Sequence, residues 1–136
     1  MRGRIGGRPI RRLDPFWRCA RIHELSIALS LLDEIGDAAA REGASRVTSV
    51  RLRIGRLSGV TADALTFAWD LARADTVASE AELRIEEIPV TVMCAQCRRE
   101  GEPREGGGLI CNACGAPAPT ILRGRELELV AMEVQT

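Results

Sequence analysis

The segment Met93-Cys94-Ala95-Gln96-Cys97, with Cys111-Asn112-Ala113-Cys114-Gly115 after it, decides the fold of the region around it. Thirteen residues separate Cys97 from Cys111, so two C-x-x-C pairs bring four thiolates within reach of one tetrahedral ion. Each pair suits a tight knuckle, and Gly115 supplies a residue free to take positive φ just after the second one. Between the pairs, Gly101, Pro103 and Gly106-Gly107-Gly108 forbid a long element, and the whole reads as a small zinc ribbon. Four cysteine ligands close the coordination sphere, which makes the ion structural and not catalytic. A segment this poor in apolar residues cannot build a core without it. The competing reading, a pair of redox dithiols, needs a thioredoxin-like βαβ setting that the flanks do not offer.

Outward from the ribbon, alternation sets the neighbouring strands. Glu82 to Val92 alternates as one long strand running into Cys94, and Glu126 to Val134 forms another, with a break near Val130-Ala131 that predicts a bulge. Val47 to Ile54 alternates Val50, Leu52 and Ile54 against Ser49, Arg51 and Arg53, a strand covered on one face. Two amphipathic helices complete the set. The first carries Leu25, Ala28, Leu29, Leu32, Ile35 and Ala39 on one face and ends at Gly43. The second runs from about Thr61, its N-cap, to Ala74, with Leu65, Ala68, Trp69 and Ala72 as the buried stripe. The predicted fold is α+β, a three-stranded sheet with two helices on one face. The ribbon, residues 93–123, is inserted between two strands of an α/β domain made of residues 22–92 and 124–136.

Residues 1–21 differ from the rest. They hold seven Arg against the single Asp14, a net +6, whereas residues 22–136 hold twelve Arg against eighteen Asp and Glu, a net −6. Punctuated by Gly3, Gly6, Gly7, Pro9 and Pro15, they read as a disordered basic extension, with Phe16, Trp17 and Cys19 as a candidate docking motif. Arg11-Arg12 does not begin an export signal, because Asp14, Pro15 and Arg18 break up the apolar stretch such a signal needs. No apolar run reaches the length of a membrane span, and reduced metal-binding cysteines without a signal peptide indicate the cytoplasm.

His23, the only histidine, stands beside Glu24 at the head of the first helix. The string His23-Glu24-Leu25-Ser26-Ile27-Ala28, the stretch Val50-Arg51-Leu52-Arg53-Ile54-Gly55, the two C-x-x-C pairs and the closing Gly124-Arg125-Glu126-Leu127 together resemble the HypA/HybF family. These are nickel-incorporation accessory proteins of [NiFe]-hydrogenase maturation, and the resemblance spans residues 22–136. It implies a metallochaperone, not an enzyme, with structural Zn2+ on Cys94, Cys97, Cys111 and Cys114 and Ni2+ as the transported ion. The family's chain begins Met-His-Glu and holds nickel through the α-amine, backbone amides and the imidazole, roles that fall on Ile22, His23 and Glu24. The implied partners are an accessory GTPase and the hydrogenase large-subunit precursor, and a homodimer stays open. Here Ile22 takes the place of the initiator methionine and Arg21 acylates the amine. Removal of the extension, a different start site and weakened nickel binding all stay open.

Two other functions fit the residues less well. A nucleic-acid-binding zinc ribbon is disfavoured, because in the ribbon Arg98, Arg99 and Arg104 are offset by Glu100, Glu102 and Glu105 and the ribbon itself has no aromatic residue to stack on a base. A metal-dependent hydrolase lacks a paired acid and base and a second histidine.

Overall fold

The computed structural model describes residues 2–6 and 24–136. Its elements are β1 (Arg2–Gly6), α1 (Glu24–Arg41), β2 (Arg46–Gly55), α2 (Ala62–Ala72), β3 (Glu82–Ile88), β4 (Thr91–Met93), β5 (Glu100–Gly101), β6 (Thr120–Arg123) and β7 (Leu127–Gln135). They form a four-stranded sheet in the order β1-β7-β2-β3 and a three-stranded sheet in the order β5-β4-β6.

In the larger sheet β2 is central, parallel to β3 and antiparallel to β7. Val50, Leu52 and Ile54 are buried and Arg51 and Arg53 exposed, as the alternation requires. The ladder shifts register where Arg51 faces Ala131 and Leu52 faces Leu129, leaving Val130 as the extra residue of the expected bulge. Both helices share one apolar core with the inward side of this sheet: Ile27, Leu31, Ile35, Val50, Leu52, Leu65, Trp69 and Met132 all belong to it. Thr61 caps α2 by accepting the Ala64 N–H at 3.4 Å. Gly43, at φ 64°, ends α1, with Gly43 N–H donating to Ala40 O and Ala44 N–H to Ala39 O.

Three expectations change. The face of α1 is rotated: Ile27 and Leu31 are buried, while Leu25 and Leu29 are 45% and 50% exposed. The helix packs on α2 as well as on the sheet, so its buried arc swings toward that second neighbour. The long strand predicted over Glu82 to Val92 is two strands in different sheets. Pro89, which lacks the N–H a ladder needs, lies between them. Finally, part of the basic extension expected to be disordered is a strand: Arg2–Gly6 pairs antiparallel with β7 and gives the sheet its fourth member. Residues 7–21, including Phe16, Trp17 and Cys19, lie outside the described residues.

The chain leaves the larger sheet after β3 and returns to it at β7, building the smaller sheet in between. The two crossings meet at Gly55. A Cβ there would overlap the Gly124 carbonyl, and one on Gly124 would press on Val90. Around this contact Gly55 N–H donates to Glu126 O at 2.7 Å, Arg56 N–H to Ile88 O at 3.1 Å and Leu57 N–H to Gly124 O at 2.6 Å. The turn after β2 thus grips both the outgoing and the returning strand.

Candidate metal centre

The first knuckle joins β4 to β5 of the smaller sheet, and the second is flanked by the isolated bridges Pro103 to Cys111 and Ile110 to Pro117. After β4, Cys94 O accepts Arg98 N–H at 2.8 Å, and Cys94 N–H donates to Arg99 O at 3.0 Å. After the Gly-rich turn, Cys111 O accepts Gly115 N–H at 2.9 Å, and Cys111 N–H donates to Ala116 O at 2.8 Å. The two C-x-x-C segments therefore make the same pair of bonds at the same offsets. Each also needs a left-handed residue four positions after its first cysteine, supplied by Gly115 at φ 75° and, in the first knuckle, by Arg98 at φ 56°.

This symmetry brings Cys94, Cys97, Cys111 and Cys114 together, with all four Sγ atoms within 4.8 Å of one another. Between the knuckles, Cys94 and Cys114 Sγ are 3.5 Å apart and Cys97 and Cys111 Sγ 3.6 Å apart. A tetrahedral ion with metal–sulfur bonds of ~2.3 Å separates its ligands by roughly 3.8 Å, so the four thiols already stand near the required edge length. The donor set fits a closed four-thiolate site.

Burial and backbone donors prepare the ligands unequally. Cys94 and Cys111 are buried, Cys97 is half-buried and Cys114 is exposed. The Cys114 and Ala113 N–H groups hold the Cys111 thiol down to about 6 against its burial. Cys94 is also lowered, first by the Cys97 N–H and against its burial. At Cys97 the Arg99 N–H pulls down, but burial and the neighbouring sulfurs outweigh it and push the thiol up to about 11. Cys114 is raised too: the Ala116 N–H lowers it, and Cys94, burial and Cys111 together prevail. Two ligands are thus inclined to the thiolate and two await a cation. The core beneath them is small, Val92, Ala118 and the buried cysteines with Val90, Leu109, Ala116 and Ile121 against them.

Two contributors were not recognised in the sequence. Arg98 carries positive φ without being glycine, and nothing in the residue type signals it. The Arg104 guanidinium lies over Gly115, where a Cβ would stand 3.4 Å from its nitrogen. A four-thiolate site around a dication has a net charge of −2, and Arg104 sets a positive charge beside it.

Of the residues expected to hold nickel, Glu24 is the first residue of α1 and half-buried, whereas Ile22 and His23 lie outside the described residues. Among the described residues, the four cysteines are the one group of three or more His, Cys, Asp or Glu side chains close enough to share a metal, and no helix is long and apolar enough to cross a membrane.

Residues 22–134 match the family described as hydrogenase/urease nickel incorporation, metallochaperone, hypA. The chain is 46% identical over 112 residues to the hydrogenase maturation factor HypA of Chloroflexus aurantiacus, an alignment covering 82% of this chain and 98% of that one. It is 45% identical over 114 residues to the protein of the same name from a Roseiflexus species, covering 84% and 93%. The solved structure of the Ni metallochaperone HypA from Helicobacter pylori shares the fold, with a TM-score of 0.61 at 24% identity over 85% of this chain and 99% of that one.

Proposed function

Because the chain belongs to the HypA family of hydrogenase and urease nickel-incorporation metallochaperones, we propose that it binds Ni(II) at the head of α1 and helps insert it into the [NiFe]-hydrogenase large subunit. The observation that carries this reading is the start of the family match at residue 22, beside the one histidine of the chain. Nickel is cargo here. The His23 imidazole and the backbone nitrogens of Ile22, His23 and Glu24 form a nitrogen-rich set that suits square-planar Ni(II). Glu24, in the first turn of α1, also places a carboxylate at the positive end of the helix dipole.

Zinc has a different part. Held by Cys94, Cys97, Cys111 and Cys114, it leaves no open position for water or substrate and supplies folding free energy to the ribbon. The protein therefore acts as a carrier in the cytoplasm and not as an enzyme. Its partners are a GTPase of the same maturation pathway and the hydrogenase large-subunit precursor, and a homodimer is compatible with that work.

The residue before Ile22 bears directly on affinity. An acylated nitrogen must lose an amide proton to become a ligand, whereas a free α-amine with a pKa of about 7.7–8.0 is partly available at neutral pH. Titration calorimetry on the full chain, on residues 22–136 with Ile22→Met, and on His23→Ala tests this. The shortened chain is expected to bind most tightly, and His23→Ala to lose nickel while keeping zinc. Glu24→Gln is expected to cost less, since its backbone contribution survives. Equal nickel affinity in all of these proteins would withdraw His23 from the site.

A further inference from the structure

The family match begins at residue 22, and relatives of which 98% is already aligned leave little room for a counterpart to residues 1–21. Yet Arg2–Gly6 lies along β7, in the register Arg2 to Gln135, Gly3 to Val134, Arg4 to Glu133, Ile5 to Met132 and Gly6 to Ala131. It has been added to the edge of a sheet that β7, β2 and β3 already complete.

An uncovered β7 presents a row of backbone donors and acceptors to any extended chain of suitable chemistry. That chemistry can be read from the register. Met132 and Val134 are buried members of the core-facing set, and the apolar or small residues Ile5 and Gly3 stand opposite them. Glu133 and Gln135 are exposed, and Arg4 and Arg2 stand opposite those. Charge on a longer scale agrees, the first 21 residues being +6 and the remainder −6. Seventeen residues connect Gly6 to Glu24, enough at ~3.3 Å each to let the segment reach the edge or leave it without disturbing α1.

We propose that the outer edge of β7 is a strand-docking site for a short extended peptide with a cation opposite Glu133 and an apolar residue opposite Met132, and that its occupant is this chain's own N-terminal segment. Five paired residues, two of them glycine, make a weak strand, so the occupant exchanges on and off. Docking in cis covers an edge that would otherwise pair with a second copy. None of this depends on nickel.

Hydrogen exchange on the full chain provides the test. Successive N–H groups of a strand point to opposite sides, so the double replacement Arg4→Pro with Ile5→Pro removes a ladder donor whichever of the two faces β7. Amides in residues 131–135 that point away from β2 are expected to exchange about tenfold or more faster in that variant, with α1 and β2 unchanged. Excess free peptide of the first seven residues, MRGRIGG, is expected to restore protection, and the same peptide with Arg4→Glu is not. The proposal is overturned if the double replacement leaves β7 exchange unaltered, if neither peptide or both peptides protect it, or if protection in the unaltered chain falls on dilution, which would give the edge to a second copy.

Discussion

Arg98 sits at φ 56° where the second knuckle uses Gly115 at 75°, so one of two otherwise equivalent turns holds a side chain in a conformation that costs roughly 1–2 kcal/mol. Arg98→Gly should therefore hold zinc more tightly against a competing chelator. Gly115→Ala should weaken it by a similar ~1–2 kcal/mol, because a side chain is strained at φ 75°, while the new methyl meets the Arg104 guanidinium only in ordinary contact. Unequal preparation of the ligands gives a pH dependence. Zinc displaces protons from the thiols it binds, so its affinity falls with pH below the free thiols' own pKa values; Cys97, raised to about 11, meets that competition throughout, whereas Cys111, lowered to about 6, adds to it only below about pH 6. Zinc release to a chromogenic chelator should accordingly rise as pH falls through about 6, and a release curve flat between about pH 7.5 and 5.5 would contradict it. At this scale the four cysteines were legible because spacing alone specifies a tetrahedral thiolate set. Arg98 and Arg104 were not, because a backbone dihedral and a guanidinium's resting place depend on the folded turn.

Periodicity exposed β2, β7 with its bulge, and α2 with its Thr61 cap, since each buries one face and shows the other to water. It failed where a second neighbour intervened. Leu25 and Leu29 have the spacing of core residues, but packing on α2 turns α1 to bury Ile27 and Leu31 in their place. It failed again at Pro89, where apolar alternation continues although the ladder cannot. The segment Arg2–Gly6 gave no strand signal because its five residues hold one apolar side chain and two glycines, too little for an alternation to show. Gly55 belongs to this scale, since its lack of a side chain lets the turn after β2 lie against the strand returning from the ribbon. Gly55→Ala would force that backbone contact apart and should cost toward the upper end of ~1–3 kcal/mol, seen as a lowered melting temperature. A melting temperature equal to that of the unaltered protein would show that the crossing yields without strain.

The molecule as a whole has two separate cores, one of ordinary apolar packing between the helices and the larger sheet, the other a few residues gathered around four thiols. They should respond differently to metal loss. Cys94→Ser or Cys114→Ser is expected to release zinc and unfold the ribbon while the helices keep most of their circular dichroism. Some overall stability should still be lost, because the outgoing and returning strands are gripped by the same turn at Gly55. A variant with unchanged zinc content would refute the four-thiolate site. Two metals with two separate roles are tested most directly by metal analysis of the full chain and of His23→Ala after equilibration with excess nickel and desalting. Stoichiometric zinc is expected in both proteins, with nickel retained by the first and absent from the second. Nickel retained equally by both, or gained only where zinc is lost, would contradict the separation of roles.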